Sequence, residues 1–229
     1  MRAAIYFAPP SASLLGQAAA RWLGRDAFTG APAREADPRI DAIVKDPARY
    51  GFHATLKAPF RLAEGRTLAA LEDALHAFAS ARQGFVMPAL ALARLGQFFA
   101  LVPERANAAI QALEGDVLRH FEPFRAPLTP SEIEKRRPHR LTPRQRELLD
   151  RWGYPHVLDE FRFHMTLTGP VAFAEFPWVE AMLSARFASF TGRPLAVEAL
   201  ALFVEPEPGA PFAVHSTHPL KIHSLAETA

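Results

Sequence analysis

Two short triplets, His53-Ala54-Thr55 and His164-Met165-Thr166, stand 111 residues apart in a chain of 229, and both sit in the same frame, Phe-His-x-Thr-Leu. Imidazole titrates near neutral pH, so two of them can serve one reaction as base and acid. A threonine hydroxyl two residues on can donate to a developing oxyanion. In an extended strand, alternate side chains share a face. The first triplet then presents His53, Thr55 and Lys57 on one face, and Phe52, Ala54 and Leu56 on the other. The second presents Arg162, His164, Thr166 and Thr168 opposite Phe163, Met165 and Leu167. The apolar faces belong to a core, and the polar faces to water or a ligand. Across one cleft, two such imidazoles suit the splitting of a phosphate ester. One neutral ring takes a proton from water or a ribose hydroxyl, and one imidazolium gives a proton to the leaving oxygen. The triplets are formally equivalent, so which ring is acid and which is base stays open. Thr55 and Thr166 become a phosphate-holding pair, with Thr168 a further hydroxyl. Lys57 and Arg162 are either substrate contacts or partners in surface ion pairs. Tyr6 and Tyr50 either reach the cleft from a neighbouring strand or loop, or pack in the core with a bonded hydroxyl.

The elements that must position these residues occur twice. Gly51–Phe60 aligns without gaps to Arg162–Val171, with five of the ten positions identical. Downstream, Phe78-Ala79-Ser80 matches Phe187-Ala188-Ser189, and Ala89-Leu90-Ala91-Leu92 matches Ala199-Leu200-Ala201-Leu202. Each copy reads as strand, helix and hairpin: 52–61, 67–82 and 86–103 in the first, then 160–170, 176–190 and 195–218 in the second. Ahead of them come a strand over 2–8 and a helix capped by Ser11 or Ser13 that runs to about Gly24. Residues 26–49 read as irregular, with one helical turn around Ile40 to Val44, and a helix is expected over 104–121. The whole is expected to be α+β: one bilobal domain over 1–229 with pseudo-two-fold symmetry. Each lobe is an antiparallel sheet with helices packed outside and the cleft between the sheets. The first repeat covers about 50–104 and the second about 160–219.

Composition excludes several other chemistries. There is no cysteine, hence no disulfide framework, thiolate nucleophile or cysteine-ligated metal. Glycine-rich dinucleotide, P-loop and nucleophile-elbow motifs are missing as well. The cluster His215, His218 and His223 lacks helical spacing, is broken by Pro219 and contains no acidic ligand, so no metal is expected there. The formal net charge is only +2, although 22 of the 26 basic residues are arginine, whose planar fork suits phosphate. Residues from about 127 to 155 form a basic insertion or lid. It carries Lys135-Arg136-Arg137-Pro138-His139-Arg140, and a helix is expected after Thr142-Pro143. The basic run reads either as a solvated face or as a set of phosphate contacts. No apolar run approaches a membrane span, and Pro9-Pro10 interrupt any secretory leader, so the chain is expected in the cytoplasm.

Paired His-x-Thr motifs in a duplicated two-lobed arrangement resemble the 2H phosphoesterase superfamily, which includes RNA 2′,3′-cyclic phosphodiesterases and related 2′-5′ enzymes. More narrowly, three segments resemble the branch associated with phosphonate-utilisation operons: Ala4-Ile5-Tyr6-Phe7-Ala8-Pro9-Pro10, Trp22-Leu23-Gly24-Arg25-Asp26 and Tyr50–Lys57. The resemblance implies that His53 and His164 are catalytic and that Thr55 and Thr166 hold phosphate. It implies a metal-independent phosphodiesterase without a cofactor, acting on a small cyclic or 2′-5′ phosphodiester or a nucleotide. An RNA end is a further candidate substrate, and no obligate protein partner is implied. The alternative is a binding protein that uses the same anion pocket for a nucleotide or RNA end without chemistry.

Overall fold

In the computed structural model, which describes residues 1–221, strand β1 (Arg2–Phe7) lies near the middle of one antiparallel sheet. Its alternation divides the molecule. Ala3, Ile5 and Phe7 face the main core, whereas Ala4 and Tyr6 face a second, smaller cluster on the opposite side with Phe203 and Phe212. Helix α1 (Leu14–Leu23) starts at Ser13, whose hydroxyl accepts the Gly16 N–H at 3.0 Å, and α2 (Pro38–Tyr50) starts at Asp37. Then come β2 (Ala54–Phe60), α3 (Leu68–Ser80), β3 (Phe85–Met87), β4 (Leu90–Leu95), β5 (Phe98–Pro103) and α4 (Ala108–His120). The segment between the repeats holds α5 (Pro130–Lys135) and α6 (Pro143–Trp152). The second motif strand β6 (Met165–Thr166), α7 (Phe176–Phe187), β7 (Leu195–Val197), β8 (Ala199–Glu205) and β9 (Ala213–Pro219) complete the chain. Among the described residues no helix is long and apolar enough to cross a membrane.

The α+β class and the antiparallel pairing are as expected, but the two halves share a sheet. Seven strands run in the order β4-β5-β6-β2-β1-β8-β9, and β3 and β7 form a separate pair. About the β6/β2 seam β4-β5-β6 lie on one side and β2-β1-β8-β9 on the other. The two motif strands are therefore neighbours, antiparallel, with Ala54 opposite Met165. A cleft between two sheets is replaced by one over a single sheet's seam, because β6 pairs with β5 on one side and β2 on the other.

Helix α2 corrects the irregular reading of 26–49. Ile40, Ile43, Val44 and Pro47 are its buried residues and follow helical spacing. Pro47 has no N–H for the Ile43 carbonyl four residues back, which would ordinarily end a helix. Here that carbonyl accepts the Gly169 N–H at 2.6 Å instead, so the proline docks α2 onto the chain just beyond β6. The insertion is folded too. Thr129 and Thr142 form capping boxes with Glu132 and Gln145, and Leu148 packs with Leu118 of α4 and Val157.

Candidate active site

Gly51 sets the first histidine. Its φ of +75° and ψ of 172° lie in a region open essentially to glycine alone, and a Cβ there would come within 2.4 Å of Ala27 Cβ. In this conformation its carbonyl accepts the His53 Nδ1–H at 2.9 Å. A carbonyl can only accept, so the neutral ring carries its lone pair on Nε2, where the Thr55 hydroxyl lies at 3.2 Å. Tyr6, on the adjacent strand, stacks on the ring with centroids 3.8 Å apart and planes 17° apart. Burial drives the His53 pKa down to about 4, against a smaller upward pull from the Gly51 hydrogen bond, and positive charge on His164 lowers it further. His53 is therefore neutral at pH 7.

His164 repeats the arrangement. Its Nδ1–H donates to the carbonyl of Arg162, again two residues upstream, at 2.7 Å, so the ring is anchored through the same nitrogen as His53. Both histidines, both motif threonines, Tyr6 and Tyr50 line one cleft of about 1040 Å³. Tyr50 stands between His53, at 6.3 Å, and Phe212, on which it stacks at 5.2 Å. Thr168 also borders the cleft but is wholly buried, and its hydroxyl oxygen accepts the Phe99 N–H at 3.0 Å.

Two expected substrate contacts are elsewhere. Lys57 is 2% exposed and does not line the cleft; its ammonium donates to Glu122 at 2.8 Å and to the Leu118 carbonyl at 3.3 Å. The cause is a bulge. Tyr6 pairs with Thr55 but Ile5 with Lys57, so β2 spends one extra residue and strict alternation fails beyond Thr55. The second copy has the same irregularity, since the N–H groups of both Leu167 and Thr168 point at the Phe99 carbonyl, at 2.9 and 3.3 Å. Lys57 and Thr168, equivalent in the alignment, are thus both turned into the fold. Arg162 is exposed and lies outside the short strand β6, so alternation never applied to it; its carbonyl serves His164 and its side chain does not line the cleft.

Several cleft residues had no sign in the motif pattern. Arg2 shares a strand face with Tyr6 and could have been found by extending the alternation back along β1. Arg49, Arg61 and Tyr154 come from a helix end and from loops, where no period marks a common face. Glu205, wholly buried, accepts from Arg2 at 2.9 Å, from Arg49 and from the Gly209 N–H at 3.2 Å. Burial pushes its pKa up, but these hydrogen bonds outweigh that and hold it below the usual carboxylate range. Among the described residues no cluster of three or more His, Asp or Glu side chains is placed to hold a metal ion. His215 pairs with Glu72 at 3.2 Å and His218 with the Ser216 hydroxyl at 2.9 Å, while His223 lies outside the described residues.

A family model described as "Protein of unknown function (DUF1045)" matches residues 55–213. The chain is 38% identical over 224 residues to the ribose 1,5-bisphosphate phosphokinase PhnN of Janthinobacterium sp. (strain Marseille), covering 92% of this chain and 49% of that protein. It is 40% identical over 220 residues to the protein of the same name from Laribacter hongkongensis (strain HLHK9), covering 93% and 50%. The chain thus spans about half the length of these relatives. Among solved structures it is similar to E. coli LigT complexed with NADP+, at 13% identity and a TM-score of 0.44, over 96% of this chain and 97% of that one. A structure described as a phosphoesterase is similar at 14% identity and a TM-score of 0.42, over 96% and 98%.

Proposed function

The chain belongs to the DUF1045 family of proteins of unknown function, and from the geometry of its cleft we propose that it is a 2H-type phosphodiesterase. One observation carries this reading: each of two histidines fixes its Nδ1–H on a carbonyl two residues upstream, and both border a single cleft. Matched rings anchored through Nδ1, with Nε2 left to take or give a proton, are what an acid–base pair requires.

The burial of His53 breaks the formal equivalence of the repeats. His53, neutral at pH 7, takes a proton from the attacking water on Nε2. The water oxygen bonds to phosphorus, the bond to the leaving oxygen breaks, and that oxygen takes the proton from protonated Nε2 of His164. Thr55 and Thr166 donate to the non-bridging oxygens as their charge is redistributed. One water is consumed, a phosphodiester becomes a phosphomonoester, and the two rings exchange protonation states before solvent resets them. The substrate is a small cyclic or 2′-5′ phosphodiester. The name of the two half-matching relatives refers to a phosphorylated ribose, which favours a ribose cyclic phosphate and a place in phosphonate metabolism.

The test is incubation with a panel of nucleoside 2′,3′-cyclic phosphates and ribose cyclic phosphates, followed by phosphorus NMR. Ring opening to a monoester is expected, insensitive to EDTA. His53→Ala and His164→Ala should each lose on the order of 10²- to 10⁴-fold in kcat while keeping the native circular dichroism spectrum. Undiminished turnover in either variant would reject the assignment. Binding with return of unaltered ligand would make the protein a carrier rather than an enzyme.

A further inference from the structure

The cleft holds five cationic side chains, Arg2, Arg49, Arg61, Lys135 and Arg136, against three carboxylates, Asp46, Glu132 and Glu205. Their pairing is uneven. Arg2 and Arg49 converge on Glu205, and Arg61 is engaged by both oxygens of Glu132 at 3.0 Å. Lys135 and Arg136 have no carboxylate within ion-pair distance among the described residues. Arg136 instead lies over the Tyr154 ring, 4.9 Å from its centroid. The surplus positive charge is therefore concentrated at one wall of the cleft, on the segment that separates the repeats.

This wall is held in place before any ligand arrives. The Thr129 capping box starts α5, and Glu132 on the same helix is the carboxylate that binds Arg61, whose guanidinium also donates to the Pro127 carbonyl at 2.7 Å. Lys135 and Arg136 follow within one turn. With its cation over the Tyr154 ring and no carboxylate on its N–H groups, the Arg136 guanidinium suits bidentate binding of a phosphate. Burial raises the pKa values of Tyr6 and Tyr154, and the charge of Arg136 opposes that rise at both; Arg136 lines the same cavity as the histidine pair. The motif threonines already serve the reacting phosphodiester. Two unneutralised cations in the same cleft call for a second anion on the same molecule.

We propose that Lys135 and Arg136, backed by Tyr154, form a subsite for a phosphomonoester carried by the substrate, so that the enzyme acts on a phosphodiester that bears a second, non-reacting phosphate. The substrate class in this proposal rests on the phosphodiesterase reading, whereas the subsite itself can be tested without turnover.

Calorimetry with ribose 5-phosphate and with ribose supplies that test on the intact protein. Ribose 5-phosphate should bind and ribose should not. The double variant Lys135→Ala/Arg136→Ala should bind ribose 5-phosphate on the order of 10- to 100-fold more weakly at an unchanged melting temperature. Absence of binding to the wild type, or equal binding by the double variant, overturns the subsite. Turnover adds the second arm: adenosine 2′,3′-cyclic phosphate is compared with its 5′-phosphorylated counterpart. The wild type should favour the 5′-phosphorylated compound by a similar factor, chiefly in KM, and the double variant should lose that preference. A preference that survives in the double variant overturns the proposal. If neither compound is opened, the phosphodiesterase reading fails, and calorimetry alone judges the subsite.

Discussion

The imidazole of His53 is packed under Tyr6, and that contact makes a specific kinetic prediction. A general base works only when unprotonated, so the acidic limb of kcat/KM against pH reports its pKa in the free enzyme. That limb should lie near 4, far below the usual imidazole value of 6.5, with activity rising as pH increases through it. Titration of the His53 ring followed by proton NMR should give the same midpoint; a midpoint at or above 6.5 would remove His53 from the base role. Lys57 supports a second prediction. Its charge is spent on Glu122, which Arg125 also binds, so Lys57→Met replaces one member of a buried network by an apolar chain of similar length. Removing one partner of a buried pair costs stability, here lessened because Arg125 still holds Glu122, but it takes nothing from the cleft. Steady-state assays should find kcat/KM within about twofold of wild type, whereas loss of a charged substrate contact would cost tenfold or more.

At the scale of elements, α4 and the turn after α6 show how a buried acid shapes the approach to His164. Glu114 of α4, wholly buried, accepts the Leu158 N–H at 3.2 Å, and Gln111 donates to the Leu158 carbonyl. Leu158 is thereby held at a φ of +54°, a left-handed conformation rare for leucine, just before the segment that leads to His164. Burial raises the Glu114 pKa to about 7, against opposing pulls from the Leu158 N–H, Arg119 and Lys57. The unfolded chain releases this proton near pH 4.5, so the native state holds a proton the unfolded state lacks between 4.5 and 7. The associated stability is complete below 4.5 and is lost as pH rises through 7, on the order of 3 kcal/mol in total. Glu114→Gln keeps an acceptor for Leu158 and cannot titrate. Thermal melts across pH 4.5 to 8 should show a decline in the wild type that is absent or much smaller in the variant; parallel curves would refute the buried proton.

Legibility followed the reach of each signal. The paired motifs, α1, α3, α4 and the β4–β5 hairpin were readable because side-chain period and capping residues are local properties of the chain. Helix α2 carried the right apolar stripe, but Pro47 masked it, since the partner that rescues the freed Ile43 carbonyl is Gly169, 126 residues further on. The bulges at Leu56–Lys57 and Leu167–Thr168 were hidden for the same reason. A strand shows its own alternation, and only its pairing partner shows where the alternation breaks.

Across the whole molecule, each motif strand is gripped by elements distant from it in the chain. The Trp22 indole of α1 donates to the Leu167 carbonyl at 2.7 Å and α2 receives the Gly169 N–H, while Lys57 of β2 reaches back to the Leu118 carbonyl of α4. Direct pairing across the seam is slight, Ala54 opposite Met165. An anion bound between Thr55 and Thr166 would bridge the two motif strands where their direct pairing is slight, and its binding should stabilise the folded chain. Orthovanadate, a phosphate mimic, should raise the melting temperature of the wild type, by the equivalent of about 2.7 kcal/mol at a hundredfold excess over Kd. Thr55→Val and Thr166→Val should each abolish most of that gain, and the double variant should lose little more than either single one, because one anion needs both donors. Groups sharing one partner are non-additive by about 0.5–3 kcal/mol, whereas independent sites add. Strict additivity in a double-mutant cycle would mean that each half binds its own anion, and the two histidines could not then act on one phosphorus atom.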